Sequence, residues 1–408
     1  MLEACQDLLR KANETAVKNV LLGKGGPFGA ILALCDEGSN AYECIGEPGA
    51  NAVLETGVAT THAEDRVLQP HYIEVLKNVL IRWLDDGLAP RLVLVSSGQS
   101  CPACHAKAEI VARHLTEGRL FKGQEELFGS VQEILGKNMI VLYGTSYQET
   151  ARVAGFNDLP YVADLMRFAA EPDGPSMVAY ETRDLYDIPK AVTDIFRDAP
   201  RKVSILVRGG EVLAVGEDQR TDIDLFSTSE VTAIRTACIK QKQAGLEAPW
   251  LLGDPNTRNP DKERKAILYT GSDIGPLMRA ELQWSAVNGL VHVTGLPYEL
   301  PKTCLREIPS MTNDAFLRAM ARGYNHDKSR LSVLQSTRTY NKNPFFVWTL
   351  KQENMPAVTY NGAACDDALQ GYMEKAAFVF RGEALDENSA KADRRSGPTT
   401  FYLDPSPT

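Results

Sequence analysis

The chain has 408 residues, of which 44% are hydrophobic and 24% are charged, and its formal net charge is −9 with a pI near 5.4. This length exceeds what one ordinary hydrophobic core covers, so it predicts two domains. No run approaches the roughly 18 apolar residues of a membrane span, and the opening MLEACQDLLRKANE lacks the pattern of a secretory signal. Eight scattered cysteines argue against a disulfide framework. We therefore expect a cytoplasmic globular protein with no membrane partner.

The negative charge is concentrated in the first part of the chain. Residues 1–175 carry 15 Lys and Arg against 23 Asp and Glu, whereas the remainder carries 29 against 30. Nucleic-acid affinity depends mainly on neutralising phosphates, which an acidic surface does poorly. The charge favours a small-molecule substrate over a nucleic acid.

The first half alternates helical and strand patterns. Residues 1–19 predict a helix, and GGPFGAILALCDEG and AYECIGE predict two strands. The pattern continues as a helix opened by Thr61, a strand at 91–97, a helix at 101–115, a strand at 138–146 and a helix at 147–168. This order predicts an α/β domain over 1–170, a three-layer α/β/α sandwich with helices on both faces of one sheet.

The same order recurs after a linker at 171–176. The predicted elements are a helix at 180–197, two strands at 202–218 joined by a Gly-Gly hairpin turn, a helix at 229–245, a strand at 265–272, a helix at 276–287 and a strand at 289–295. We interpret 177–375 as a duplicate of the first domain. Residues 376–408 carry few large apolar groups and are predicted to be a tail.

Three residues of the first half form a candidate metal site. His62, Cys101 and Cys104 offer one imidazole and two thiolates, which are ligands that zinc prefers. Three protein ligands leave a fourth position open, as in catalytic zinc sites that lower the pKa of water to about 7. Taken singly, His-x-Glu is also a common surface or capping pattern, and Cys-x-x-Cys is also a redox motif. Their joint occurrence favours catalytic zinc.

Both ligand groups are predicted to open helices. Thr60 or Thr61 would cap the first helix and Ser100 the second, and a helix N-terminus stabilises thiolates. Glu64 lies two residues after His62, where its carboxylate can accept and return protons.

The HAE and CxxC motifs within this αββαβα order resemble the zinc-dependent cytidine deaminase-like superfamily, whose pattern is H-x-E…P-C-x-x-C. The resemblance implies that His62, Cys101 and Cys104 bind zinc and that Glu64 transfers protons. GGPFGA at 25–30 and AGFND at 154–158 are similar to elements of bacterial guanine deaminases. That branch implies a pocket for the base with contacts from the remaining candidates, namely Asn51, the Ala63 backbone N–H, Phe28 and Asp158.

The chain also departs from the family pattern. Ser100 stands where the family has proline, and Gln99 replaces an acidic residue. The 39-residue interval from His62 to Cys101 is long, and LTEGRLFKGQEELFGS at 115–130 resembles an insertion. These departures concern the substrate more than the metal.

The second half lacks the metal-binding residues. Aligned on the family pattern, Thr228 replaces the histidine, Gly275 and Met278 replace the cysteines and Glu217 replaces the asparagine, while Glu230 is kept. We interpret this half as a degenerate deaminase-like domain that pairs with the first as an intramolecular pseudo-dimer, with further oligomerisation left open.

These patterns predict a zinc-dependent hydrolase acting on the C–N bond of a cyclic amidine, a deaminase of guanine or a related nucleobase. The alternative is a tRNA or other nucleic-acid adenosine deaminase, in which active and inactive halves also pair. A third hypothesis is a non-enzymatic binding protein that keeps the fold, against which the retained Glu64 argues.

Overall fold

The structure is a computed structural model that describes residues 2–22, 24, 28–98, 100–118, 120, 139–145, 179–199, 201–246, 248–254, 261–272, 276–296 and 331–335. The described residues fall into two compact units. The first takes those within 1–55, 61–166 and 319–408, and the second takes those within 56–60 and 167–318. Each unit mixes helices with one sheet, so the α/β class predicted from sequence is confirmed.

The first unit begins with a long helix and a strand pair. Its elements are α1 (Leu2–Leu21), β1 (Gly29–Asp36), β2 (Tyr42–Cys44), β3 (Gly49–Ala50), α2 (Val53–Thr56, whose last residue falls in the second unit), α3 (Ala63–Val67), α4 (Pro70–Asp85), β4 (Pro90–Gly98), α5 (Pro102–Thr116), β5 (Met139–Thr145) and β11 (Leu331–Gln335). The strands form one sheet in the order β11-β5-β4-β1-β2, with β3 also paired to β1. Strands β11, β5 and β4 run parallel, and β1 is antiparallel to β4 and to β2.

Strand β1 lies at the centre of this unit, and all eight of its residues are buried. Its side chains alternate between two covered faces, as expected for a strand with helices on both sides. On one face, the α1 side chains Leu8 and Leu9 join Ile31 and Val93 in a single apolar cluster. The apolar stripe of α1 therefore packs on the sheet, which accounts for the helix predicted at 1–19.

The long helix predicted to open at Thr61 is two helices. Helix α3 ends at Val67, and Pro70 occupies the first position of α4. A proline disfavours helical conformation in the residue before it and fits the first turn of a new helix. The prediction of one continuous helix was wrong because the apolar spacing continues across the break.

The second unit repeats the alternation of helix and strand. Its elements are β6 (Ala179–Asp184), α6 (Lys190–Asp198), β7 (Val203–Arg208), β8 (Glu211–Glu217), α7 (Ser229–Gln243), β9 (Ala266–Thr270), α8 (Pro276–Trp284) and β10 (Gly289–Thr294), with 3-10 turns at Leu185–Asp187 and Lys262–Arg264. The sheet order is β6-β10-β9-β7-β8. Strands β6, β10 and β9 are parallel, while β7 is antiparallel to β9 and β8. The sequence of strand directions across this sheet matches that of the first unit.

For this unit, one prediction from the sequence is partly wrong and another is confirmed. The helix predicted at 180–197 was wrong over its first part, because β6 pairs along its whole length with β10 and the helix starts only at Lys190. The Gly-Gly hairpin is confirmed, since Gly209 and Gly210 have φ values of 57° and 82°. Positive φ at both central residues is the requirement of a type I′ hairpin turn, which glycine meets without strain.

The second unit also contains a short segment from early in the chain. Within this unit the Thr60 hydroxyl donates a short hydrogen bond to the buried Glu281 carboxylate. Strand β11, in contrast, lies in the 177–375 range expected for the second domain and pairs with β5 in the sheet of the first unit.

Several predicted segments lie outside the described residues. They are the helix at 147–168, the linker at 171–176, most of the insertion at 115–130 and the tail at 376–408. Across the part of the chain that the structure describes, none of the helices combines the length and the apolar character needed to cross a bilayer.

Candidate metal centre

The three candidate ligands lie at the starts of two helices. His62 immediately precedes α3 with φ −80° and ψ 172°, and Cys101 immediately precedes α5 with φ −68° and ψ 168°. These extended residues are themselves the N-caps, and neither makes a side-chain capping hydrogen bond. The prediction that Thr60 or Thr61 and Ser100 cap the helices was therefore wrong, because each helix starts later than its polar residues suggest.

The fold brings the three side chains together. The His62 Nδ1 atom is 3.2 Å from the Cys101 Sγ atom and 3.5 Å from the Cys104 Sγ atom. All three donor atoms lie within 4.8 Å of one another. Cys101 and Cys104 are buried and His62 is half-buried. The group could hold a metal ion, as the sequence predicts.

The two thiols have opposite proton affinities. Burial alone would raise the pKa of Cys101, but a hydrogen bond from Cys104 and the charge of His62 outweigh burial and lower that pKa well below its usual value. Burial, followed by the hydrogen bond and negative charge of Cys101, raises the pKa of Cys104 well above its usual value. A thiolate at Cys101 therefore sits beside a thiol at Cys104 when no metal is bound.

His62 completes this proton arrangement. Burial by itself lowers the pKa of the imidazole, whereas the Cys101 thiolate and then Glu64 raise it, with a net value of about 9. The lowered pKa of Cys101 and the raised pKa values of His62 and Cys104 favour an imidazolium–thiolate pair beside one thiol in the metal-free cluster. A metal ion must displace these protons, because it binds neutral imidazole and thiolate.

Glu64 lies beside the cluster on α3 without belonging to it. Its carboxylate is buried, and Oε1 accepts a hydrogen bond of 3.1 Å from the Ser96 hydroxyl on β4. Burial, followed by the Cys101 charge, raises the pKa of Glu64, and His62 partly offsets this. Among the described residues, the group that could hold a metal ion consists of His62, Cys101 and Cys104 and does not include Glu64.

Asn51, one of the predicted substrate residues, lies in a segment that is hydrogen-bonded to the residue before His62. Asn51 is buried; its backbone N–H donates to the Phe28 carbonyl at 3.0 Å, and its Oδ1 accepts from the Val53 N–H at 3.3 Å. The next residue, Ala52, donates its N–H to the Thr61 carbonyl at 2.8 Å, which ties this segment to the residue before His62.

The other substrate candidates differ in how far the structure describes them. Ala63 is fully buried as the first residue of α3, and Phe28 is half-buried. Asp158 and Gly25–Pro27 lie outside the described residues.

Sequence reasoning missed a buried ion pair beside the cluster. Lys107 on α5 donates from Nζ to Asp65 Oδ1 at 2.5 Å, and both side chains are almost completely buried. Gln69 Nε2 donates to Asp65 Oδ2 and to the Asp65 carbonyl, each at 3.0 Å. The available signal was spacing, because Asp65 follows His62 and Lys107 follows Cys104 by three residues, one helical turn in each case.

The second unit contains a buried glutamate in a similar setting, without the candidate ligands. Glu230 is buried on α7, and its Oε1 accepts a 2.7 Å hydrogen bond from the Thr270 hydroxyl on β9. Ser96 and Thr270 occupy matching sheet positions, since each pairs across the sheet with the central antiparallel strand. Thr228, which the sequence aligns with His62, is the N-cap of α7, where its hydroxyl accepts from the Val231 N–H.

The structure describes one of the two residues that the sequence aligns with the cysteines. Met278 is a buried apolar side chain, and Gly275 lies outside the described residues.

Comparison with known proteins does not assign the chain to a family. No family model matches the chain, and a search of curated proteins returns no significant match. The fold and site therefore define an α/β protein with a His-Cys-Cys group able to hold a metal ion.

Proposed function

We propose that this protein is a zinc-dependent hydrolytic deaminase of a small aminated heterocycle, guanine or a related nucleobase. The observation that carries the proposal is the convergence of His62, Cys101 and Cys104 beside the buried carboxylate of Glu64. In hydrolysis such a group moves protons.

The donor set supports zinc as the metal. A tetrahedral zinc ion with ordinary bond lengths holds an imidazole nitrogen and a thiolate sulfur about 3.6 Å apart. The two corresponding distances here are 3.2 and 3.5 Å. One imidazole and two thiolates make a soft-to-borderline set that suits zinc better than magnesium or calcium. Reduced thiols at the site also fit the cytoplasmic location that the sequence predicts.

Zinc held by these three groups would supply the Lewis acidity that activates water at neutral pH. Glu64 takes one proton from the attacking water, returns it to a ring nitrogen and passes the second to the departing amino group. The C–N bond breaks, a C=O bond forms, and ammonia leaves with no change of oxidation state. The Ser96 hydroxyl donates a hydrogen bond that orients one oxygen of Glu64. The raised pKa of this carboxyl suits a group that must both accept and return a proton.

Asn51, Phe28, the Ala63 backbone N–H and Asp158 are the proposed contacts to the base. Support comes from the Ala52–Thr61 hydrogen bond, which links the segment of Asn51 to the residue before His62. The amide of Asn51 would orient the ring and Phe28 would contact its face.

The second unit is proposed to be a degenerate copy of the first. Its strands β10-β9-β7-β8 repeat the order and directions of β5-β4-β1-β2, while the parallel edge strand is the first strand of this unit in the chain (β6) and the last of the other (β11). A hydroxyl on the corresponding strand again donates to a buried glutamate. With Thr228 and Met278 in ligand positions, this copy would carry neither zinc nor activity.

The test is ammonia release by zinc-loaded protein on guanine, adenine, cytosine, their nucleosides, amino-triazines and a tRNA. Glu64→Gln is expected to lower turnover of the accepted substrate by about 100-fold or more while zinc content stays unchanged, since proton transfer contributes roughly this much. Glu230→Gln is the matched control, because it makes the same change in a buried, hydroxyl-bonded glutamate of the second unit.

The control variant is expected to keep both zinc and activity. Activity on tRNA alone would favour a nucleic-acid adenosine deaminase, in keeping with a chain that holds one ligand-bearing and one ligand-free unit. Zinc-loaded protein inactive on the entire panel would contradict the proposal and favour a binding protein.

A further inference from the structure

The Lys107–Asp65 pair links the two helices that carry the metal ligands. Asp65 lies one turn after His62 on α3, and Lys107 lies one turn after Cys104 on α5. The Nζ–Oδ1 distance is 2.5 Å, and the side chains of Lys107 and Asp65 are 0% and 3% exposed. Gln69, at the start of α4, holds the second carboxylate oxygen at 3.0 Å. We call these three residues the Asp65 clamp.

Stability alone does not account for this arrangement. The free energy needed to remove two charges from water offsets much of the free energy gained from their attraction. A buried ion pair is therefore often no more stabilising than two well-packed apolar side chains. Its directional, charge-assisted hydrogen bond does impose one separation and one orientation on the elements it joins. Lys107 is also the largest fully buried side chain in the described part of the chain, so it fills a place where an apolar residue would ordinarily lie.

Helix α3 needs such a constraint. It has only five residues, too few to hold a helical conformation without tertiary contacts. The position of His62 relative to Cys101 and Cys104 depends on how α3 docks against α5, because His62 comes from a segment 39 residues away in sequence. A small error in that docking would change the ligand separations directly.

We infer that the Asp65 clamp is a positioning device for the metal centre: the buried Lys107–Asp65 ion pair, held by Gln69, sets the separation of His62 from the two cysteines. Asp65, Lys107 and Gln69 are positioning residues and do not bind the metal. The inference rests on the proposed zinc site but is independent of the substrate and of turnover.

The test compares wild type with the neutral double variant Asp65→Asn/Lys107→Met. Removing both charges together leaves no uncompensated buried charge, so the metal-free double variant is expected to unfold within a few degrees of wild type. Its zinc dissociation constant, measured by competition with a chromophoric chelator, is expected to rise by about 10-fold or more, as for other groups that orient ligands. Cobalt-substituted protein should show altered thiolate-to-metal and d–d absorption bands, which a purely stabilising pair would leave unchanged.

The matched control is Glu43→Gln/Arg82→Met. This pair also joins two elements of the first unit, β2 and α4, but it is exposed and remote from the ligands in sequence. Zinc affinity and the cobalt spectrum are expected to equal those of wild type. If the Asp65→Asn/Lys107→Met protein does not fold, Gln69→Leu takes its place, because that change keeps both charges and removes only the Gln69 hydrogen bonds.

Three outcomes would decide against the clamp. The first is a double variant with wild-type zinc affinity and an unchanged cobalt spectrum. The second is a double variant that loses stability but binds zinc as wild type does. The third, if Gln69→Leu is tested instead, is a Gln69→Leu protein with unchanged zinc affinity. Wild-type protein that binds no zinc would remove the proposed function together with this inference, so the two failures are distinguishable.

Discussion

Cys101 and Cys104 are three residues apart, yet they hold their protons very differently. The pKa of Cys101 is lowered and that of Cys104 is raised, while the pKa of His62 is about 9. Below pH 9 the metal-free site thus keeps one proton on His62 and one on Cys104. Both must leave when the ligands bind a metal, so protons oppose metal binding.

The resulting pH dependence is specific in sign and size. Zinc affinity is expected to rise with pH by up to about 100-fold per pH unit below 9, because about two protons are released per metal ion. Isothermal titration of zinc at pH 7 in buffers of different ionisation enthalpy measures this number. Release of fewer than one proton would contradict the protonation of His62 and Cys104 described above.

A single substitution distinguishes the two candidate ligand cysteines from an ordinary buried cysteine by its effect on zinc binding. Cys104→Ser removes a thiolate from the donor set and is expected to weaken zinc binding by at least about 100-fold, since zinc prefers sulfur here. Cys238→Ser is the matched control in the second unit, where burial raises the pKa of the thiol to about 12 and leaves it inert. Zinc content after dialysis should fall to near zero in the first variant and stay at the wild-type level in the second.

At the scale of elements, α3 is located by what touches it rather than by its own helical preference. Strand β3 approaches it closely: a Cβ atom on Gly49 would lie 2.6 Å from the Ala63 carbonyl oxygen and 2.8 Å from Val67 Cγ1. Glycine is required because the backbone of α3 leaves no room for a side chain at this point. The position of His62 therefore depends on a residue outside the helix.

Gly49→Ala is expected to push β3 away from α3 and to cost about 1–3 kcal/mol of folding free energy, the usual range for overpacking. Zinc affinity should fall with it, because α3 carries His62. Gly38→Ala is the comparison, since its Cβ would meet only the Asp36 side chain, at 3.4 Å. Urea unfolding of both metal-free proteins measures the difference, and equal stability would contradict the close packing of β3 on α3.

The positions of elements were predictable where the pattern is local. The helix of 101–115 and the Gly-Gly hairpin of 202–218 were found nearly at their observed bounds, because apolar spacing and turn residues act within a few positions. The break before Pro70 and the strand at 179–184 were not found. The first is hidden by continuous apolar spacing, and the second depends on pairing with β10, more than 100 residues later in sequence.

At the scale of the whole molecule, the unit that contains the candidate metal site is discontinuous in sequence. Its sheet takes strand β11 from residues 331–335, which pair in parallel with β5. Strand β5 in turn pairs with β4, which carries Ser96 and leads to Cys101. The environment of the ligands thus depends on a segment that follows the second unit in the chain.

Val333→Pro/Leu334→Pro tests this dependence. Successive residues of a strand point their N–H groups to opposite sides, so one of the two prolines removes a hydrogen bond to β5. We expect a loss on the order of 1–3 kcal/mol of stability and weaker zinc binding. Glu181→Pro/Thr182→Pro makes the same change in β6 of the second unit. It should lower stability without changing zinc affinity, and a β11 variant that binds zinc normally would contradict the expected dependence.

The residues alone were enough to single out His62, Cys101 and Cys104 as a group that could hold a metal ion and to predict an α/β chain. These inferences succeed because donor chemistry and local periodicity are properties of short segments. Tertiary structure decided the rest: the separations of the three donor atoms, the burial of Lys107 against Asp65, and the addition of β11 to the first sheet. Each of these joins residues far apart in the chain, and the free energy of such contacts depends on packing and on exclusion of water, which no local pattern records.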